Sequence, residues 1–449
     1  MAKTKSSSWL DPAPPACQLY ADANRQIYEQ SEQGFIGQSL CFPRPVALEE
    51  LIPLPEGSRL FSLPGLTPYM GTPGCFTPWP GNHAPPPDAV AAFLPPAYLR
   101  LLLPAAVPRE GRTLLPMWAY TAVGAVADDF VVPALRIDPR DHWDVKYYDD
   151  RGLGQCVQDK LKQFPGNRLV EHLVRCATEY HCFAAKNFFR QRWECPLPVA
   201  QTCNSRCLFC LSEQQGKGFC ASQQRINFLP SAAEIADIAC SHIRHVPGAI
   251  VSFGQGCEGE PILYHQRLRE AIGRIRKQVS KGTINLNTNG SLPQAIAPLA
   301  RSGLDAVRIS LNSCTEELYH LYYRPSGYSF QQVKESIRLS REHGLFVALN
   351  YLVFPGVNDS RQECDSLFRL LDTGQVDMIQ WRNLSGDPWW FLDRVTGHIH
   401  SRAQGLAWLV AETRQRYPQL EHGYFNVNTE TELNQANPRV KTARPSLYA

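Results

Sequence analysis

The chain has 449 residues, and 45 Lys and Arg against 42 Asp and Glu leave a formal charge of only +3, which excludes a basic nucleic-acid wrapper and an acidic tail protein. Hydrophobic residues make up 44% and charged residues 19%, enough to bury real cores and far from the balance of a disordered chain. No apolar run reaches the roughly 18 residues of a membrane-spanning helix. The start Met1-Ala2-Lys3-Thr4-Lys5 lacks a signal core, and an odd count of 15 cysteines fits a reducing compartment, so a cytoplasmic protein is expected.

Residues 1–150 hold the densest proline load, with 17 of the 36 prolines in the first hundred positions, so this part reads as turns and extended segments around a small mixed domain. Apolar stretches near Leu51–Leu63, Val90–Leu103, Leu114–Val126 and Phe130–Ile137 would supply its core. Residues 151–196 form a cysteine-containing linker or cover, helical in pattern across Leu169–Phe189. Residues 197–390 then alternate strand and helix. A short strand is expected near Leu197, followed by Ala249–Phe253, Ile284–Thr288, Ala306–Leu311, Phe346–Phe354 and Met378–Trp381, with helices at Leu263–Lys277, Phe330–Arg341 and Gln362–Leu371. Such alternation predicts an α/β parallel sheet with right-handed crossovers. Residues 391–449 read as a helix over Arg394–Tyr417 and an irregular polar tail from Asn426.

The chemistry concentrates in Cys203-Asn204-Ser205-Arg206-Cys207-Leu208-Phe209-Cys210. Three thiolates suit an iron-sulfur cluster that keeps one iron free of protein, whereas a zinc site would need a fourth ligand such as Cys220 or Cys195. Further along, Gly259-Glu260-Pro261 follows one expected strand and Asn287-Thr288-Asn289-Gly290 ends the next. Arg308, Ser310 and Asn312 alternate along a third and would share one face. Asn350, Gln380 and Arg382 continue the polar series at later strand ends, and Trp389 and Trp390 follow as either a substrate cap or a simple cover.

The Cys-x3-Cys-x2-Cys loop, with an aromatic residue before its last cysteine, resembles the radical S-adenosylmethionine (radical SAM) superfamily over about residues 197–390. The resemblance implies a partial, open (β/α)6 TIM-like barrel, a 4Fe-4S cluster on Cys203, Cys207 and Cys210, and S-adenosyl-L-methionine chelated to the free iron. It implies reductive cleavage of that cofactor to a 5'-deoxyadenosyl radical that abstracts hydrogen from a small-molecule or peptide substrate. An electron donor such as flavodoxin or ferredoxin would serve it, and neither a membrane nor bulk nucleic acid is expected as a partner. Cofactor contacts carried over are Phe209, Gly259, Glu260, Pro261, Asn287, Asn289, Arg308, Ser310, Asn312, Asn350, Gln380 and Arg382, with Glu258 sharing the task of Glu260.

Cys176 and Cys182, with Cys156 or Cys195, would ligate a second iron-sulfur cluster, or else they are small buried hydrophobes. A peptide-modifying maturase with such an auxiliary cluster is one alternative function. A noncatalytic iron-sulfur electron carrier is another.

Overall fold

The computed structural model describes residues 16–72, 74–80, 85–140, 144–214 and 218–430, so the tail expected beyond Glu430 lies outside the described residues. The chain packs as two units. The first comprises Met1–Leu94, Arg100–Thr113 and Tyr120–Leu135. Its described part is antiparallel β-structure with a single 3-10 turn at Leu48–Glu50. Cys17–Ala21 pairs with Gly124–Val126 on one side and Asp88–Phe93 on the other, and Asp88–Phe93 also pairs with Tyr120–Ala122. The prolines explain the fragmentation. Phe42–Pro45, which contains two of them, sits at the edge of a three-stranded sheet, where a missing N–H costs no ladder bond.

The second unit, Pro95–Leu99, Leu114–Ala119 and Arg136–Ala449, carries the site. Its centre is a parallel sheet whose strands lie in chain order: β1 (Glu194–Pro196), β2 (Ile250–Phe253), β3 (Thr283–Thr288), β4 (Ala306–Leu311), β5 (Phe346–Val353), β6 (Met378–Asn383) and β7 (Glu421–Gly423). The sheet is the open, partial barrel expected, extended by the short β7 beyond the sixth strand. The first strand ends just before Leu197 rather than starting there.

Ile284, Leu286, Val307, Ile309, Val347 and Leu349 are fully buried, as in strands covered on both faces. The covering helices are α1 (Leu153–Gln163), α2 (Arg168–Thr178), α3 (Phe183–Phe189), α4 (Ala232–His245), α5 (His265–Gln278), α6 (Pro293–Ser302), α7 (Glu316–Tyr323), α8 (Phe330–Glu342), α9 (Arg361–Leu371), α10 (Pro388–Val395) and α11 (Leu406–Arg416). Several start where the side chains dictate. Ser231 and Glu234 close a reciprocal capping box on α4, and Ser329 and Gln332 do the same on α8.

Two expected helices are broken. Leu169–Phe189 divides into α2 and α3 because His181 adopts φ +50, a conformation no helix interior accommodates. Arg394–Tyr417 divides because the chain turns between α10 and α11, where Gly405 at φ +97 precedes the second helix. No helix among the described residues is long and apolar enough to cross a membrane.

Candidate functional site

The cysteine loop follows β1 and is fastened from two sides. Arg206 and Leu208 donate their amides to the carbonyls of Tyr323 and Tyr322, each at 3.0 Å, and Ser326 N donates to Asn204 O at 2.8 Å, so the loop is zipped to the C-terminus of α7. On the other side Gly259 N donates to Ala200 O at 2.7 Å and Glu260 N to Thr202 O at 2.9 Å. The first two segments singled out in the sequence are therefore adjacent and hydrogen-bonded.

Burial pushes Cys203 up to about 11, with the Glu260 carboxylate adding to it. Burial and the neighbouring Cys210 and Cys203 drive Cys207 well above the ordinary thiol range. With Cys203 and Cys207 both raised, three partly buried thiols so close together are a poor arrangement without a cation between them. An iron-bearing group on all three relieves both the desolvation and the repulsion, so the donor set fits a cluster.

Glu260 is held at the end of β3. Its Oε1 accepts from Thr288 Oγ1 at 2.6 Å and from Ile262 N at 3.0 Å, and its Oε2 accepts from Asn289 N at 2.8 Å. Asn289 Nδ2 continues to Asn204 Oδ1 at 2.9 Å and Ser205 Oγ at 3.0 Å, tying the β3 end to the cysteine loop. Burial raises Glu260 to about 7 against these three hydrogen bonds, so a cation beside it is stabilised as well as stabilising. Pro261 opens the following 3-10 turn, a position that needs no N–H.

Glu258 does not share that task. Oε2 accepts from Val199 N and Ala200 N at 2.8 and 2.9 Å, and Oε1 accepts from Gly254 N and Gln255 N, both at 2.7 Å. All four of its lone-pair directions are spent on backbone, so it staples the loop after β1 to the loop after β2.

Arg308 and Ser310 alternate along β4, which ends at Leu311, so Asn312 lies beyond the strand rather than on its face. Register places Asn287 opposite Arg308, Ser310 opposite Asn350, and Asn350 opposite Gln380. Asn350 Nδ2 donates to Ser310 Oγ at 3.3 Å, and Arg308 Nη1 to Gln380 Oε1 at 3.2 Å. Asn287 turns aside to Gly254 O at 2.9 Å, and Asn312 Nδ2 donates to Leu318 O at 3.1 Å. Arg308 Nε, Asn312 Oδ1 and Asn350 Oδ1 are buried with no hydrogen-bond partner among the described residues. Burial, with Arg382 nearby, lowers Arg308 to about 9. An unpaired donor on a cation and two unpaired amide oxygens, on or just beyond adjacent strands, fit the carboxylate and hydroxyls of an amino-acid nucleoside. Arg382 is more occupied, donating to Tyr424 O at 2.5 Å with its guanidinium 4.3 Å from the Tyr424 ring centroid.

Phe209 and the tryptophans form a wall. The Phe209 ring centroid lies 5.3 Å from Phe219, 5.5 Å from Trp390 and 6.0 Å from Phe391, and Gly386 leaves the space it fills. Trp390 thus backs the cysteine loop, and Trp389 is buried.

Sequence reasoning missed the tyrosines. Tyr328 Oη bonds Ser205 Oγ at 2.7 Å and Tyr319 Oη at 3.1 Å, and Tyr322 lies within electrostatic range of Cys207 and Cys210. The density of tyrosine in Tyr319–Tyr328 was the available signal.

The second cysteine group differs from the expected one. Cys176 Sγ lies 3.5 Å from His172 Nε2, one turn earlier on α2, and both converge with Cys257 from the loop after β2, the three ligand atoms lying within 4.8 Å of one another. Cys195 stays buried on β1, where burial raises its thiol and Lys160 partly offsets this, and Cys156 also faces Lys160. Neither is among the ligand atoms that converge on Cys176, Cys156 lying on α1 and Cys195 on β1.

Residues 197–367 match the family model described as Radical SAM superfamily. The FeMo cofactor biosynthesis protein NifB of Klebsiella pneumoniae is 28% identical over 229 residues, 47% of this chain and 44% of that protein. Molybdenum cofactor biosynthesis protein 1 of Homo sapiens is 25% identical over 262 residues, 57% of this chain and 37% of that protein. The probable GTP 3',8-cyclase of Thermococcus kodakarensis is 31% identical over 166 residues, 36% of this chain and 48% of that protein. The chain thus spans less than half the length of these curated relatives. Among solved structures, methylornithine synthase matches with a TM-score of 0.37 and 17% identity, covering 61% of this chain and 74% of that one. A domain of this kind implies a 4Fe-4S cluster and S-adenosylmethionine as cofactors. The match to the radical SAM superfamily thus covers residues 197–367, less than half of the chain.

Proposed function

We propose that the protein is a radical SAM enzyme that removes hydrogen from an organic substrate. The observation that carries this reading is the hydrogen-bonded union of the segment leading into the Cys203–Cys210 loop with the Glu260 loop, in a sheet that also holds an unpaired Arg308 donor. When bound, such a cluster, reduced by an external one-electron donor, would supply the reductive cleavage of S-adenosylmethionine that lets hydrogen be taken from a substrate C–H bond.

Cys203, Cys207 and Cys210 would hold three irons. Glu260 and the backbone around Gly259 would accept hydrogen bonds from the cofactor's ammonium, and Arg308 would meet its carboxylate. Ser310, Asn312 and Asn350 would line the ribose, with Asn287, Asn289 and Gln380 keeping these groups in register. Phe209 and its aromatic neighbours keep water from the cluster side. Residues 197–390 carry the chemistry in this reading, and residues 1–150, 151–196 and 391–449 are flanks that bear on substrate choice. The names of the curated relatives concern cofactor biosynthesis and a nucleotide cyclase, which favours a small-molecule substrate over a peptide. A cytoplasmic reductant of the flavodoxin or ferredoxin type would serve it.

The test is anaerobic reconstitution followed by incubation with S-adenosylmethionine and dithionite. Formation of 5'-deoxyadenosine by the native chain and its loss in the Cys203→Ala, Cys207→Ala, Cys210→Ala variant supports the proposal. A native chain that binds iron and sulfide yet neither binds nor cleaves S-adenosylmethionine is an electron carrier instead.

A further inference from the structure

The His172, Cys176 and Cys257 cluster is left unused by the radical chemistry, and its geometry is specific. Cys176 and Cys257 are 1% and 3% exposed, so their sulfurs face each other in protein rather than water. His172 and Cys176 are one helical turn apart and share a face of α2. Cys257 comes from the irregular segment between β2 and Glu260, held in place by Ile226 N donating to its carbonyl at 2.8 Å.

Cys182 follows α2 and its amide donates to Cys176 O at 3.0 Å, which pins the end of the helix, while its thiol is not one of the converging ligand atoms. We propose that His172, Cys176 and Cys257 bind a single tetrahedral ion of the zinc class, with a water completing the ligand set, which fastens α2 to the loop that carries Glu258 and Glu260.

Size decides between one ion and a cluster. Metal–sulfur bonds of about 2.3 Å and metal–nitrogen bonds of about 2.0–2.1 Å place tetrahedral ligand atoms roughly 3.5–4 Å apart. The three ligand atoms here already lie within 4.8 Å of one another. Cysteines on separate corners of an iron-sulfur cube stand farther apart than sulfurs that share one metal. Mixed imidazole and thiolate ligation suits zinc, and the fourth position is left open on the side of the half-buried His172. Binding replaces two S–H bonds with metal–sulfur bonds, and two protons leave to the buffer without any redox change. The two thiolates neutralise the dication, and the Arg175 guanidinium acts on Cys176 from beside the site.

The experiment uses the full chain carrying Cys203→Ala, Cys207→Ala and Cys210→Ala, which removes the thiol triad of the other site, kept reduced and freed of metal. Titration with Co2+ is expected to give about one equivalent of tetrahedral cobalt with thiolate charge-transfer bands, displaced by Zn2+. Adding Cys257→Ser should weaken binding at least about 100-fold, and His172→Asn should keep the thiolate bands while shifting the d–d bands. Cys240→Ser, at a buried thiol on α4, is the control expected to bind like the parent. If the parent binds Co2+ no more tightly than the chain lacking Cys257, the proposal is overturned. Uptake of iron with acid-labile sulfide in place of a single ion overturns it as well. So does metal uptake that persists when His172 and Cys257 are both replaced. Because the radical-cluster cysteines are absent from every arm, failure here is distinct from failure of the proposed function.

Discussion

Gly259 and Thr202 approach so closely that a Cβ on Gly259 would stand 2.1 Å from the Thr202 carbonyl oxygen and 2.5 Å from its carbonyl carbon. That contact is backbone against side-chain position, and the hydrogen bonds on either side, Gly259 N to Ala200 O and Glu260 N to Thr202 O, keep it from opening. The glycine in the Gly-Glu-Pro segment is therefore required by proximity to the cysteine loop.

Gly259→Ala is expected to destabilise the chain by about 1–3 kcal/mol, the usual cost of forcing a methyl into filled space. It should also lower iron retention by the Cys203–Cys210 loop. Gly273→Ala is the contrast. A Cβ there, within α5, meets nothing within 4 Å, so it should stabilise by about 0.5–1 kcal/mol through helix propensity. Denaturant unfolding of the two variants beside the parent measures both signs, and equal effects would remove the close-approach argument.

Arg308→Met separates binding from folding. Removing a half-buried cation that has no carboxylate hydrogen-bonded to it should leave stability unchanged or raised, since a desolvated charge is replaced by an apolar chain of similar reach. Loss of a charge-assisted hydrogen bond of about 1.5–3 kcal/mol should weaken S-adenosylmethionine binding roughly 10- to 100-fold. Equilibrium dialysis with the reconstituted variant checks this. Unchanged affinity would free Arg308 for a substrate role.

Legibility in the sequence followed the range of the interactions. Strands β2 to β6 were readable because strands buried on both faces become continuous apolar runs, and Arg308, Ser310 and Asn312 stood out as polar breaks at period two. The break at His181 was not readable, because a single positive-φ residue leaves the apolar periodicity of Leu169–Phe189 intact. Cys176 could not be matched with Cys257 from spacing, since only the sheet topology brings the α2 face to the loop after β2. Glu258 and Glu260 look equivalent on paper. Their roles divide only when the backbone amides of Val199, Ala200, Gly254 and Gln255 are seen to saturate one of them.

His422 gives the fold an acid-sensitive point. Its Nδ1 accepts from Trp381 Nε1 at 2.9 Å, a bond an imidazolium cannot accept, and burial, then Arg414, lowers it to about 4. The unfolded chain takes up a proton at this residue near pH 6.5 while the folded chain stays neutral, so its contribution is full above that pH and is lost as pH falls toward 4. The expected loss is up to about 1.4 kcal/mol per pH unit in that window. Unfolding free energies at pH 7 and pH 5 should converge in His422→Gln relative to the parent, and an unchanged slope would assign the acid sensitivity to other groups such as His242.

Glu258→Gln tests the staple itself. A carboxamide keeps one acceptor oxygen and replaces the other with an N–H2 group that would face two backbone donors, either Val199 and Ala200 or Gly254 and Gln255. Two buried amides then lose their acceptor, at about 1–3 kcal/mol each. The variant should therefore unfold about 2–6 kcal/mol more easily despite being isosteric, and faster hydrogen exchange should appear at those amides first. Since Glu258 spends its oxygens on the two loops that carry the cysteines and Glu260, iron content should fall along with stability. A loss under about 1 kcal/mol would mean that the loops are held by the Gly259 and Glu260 amide bonds instead.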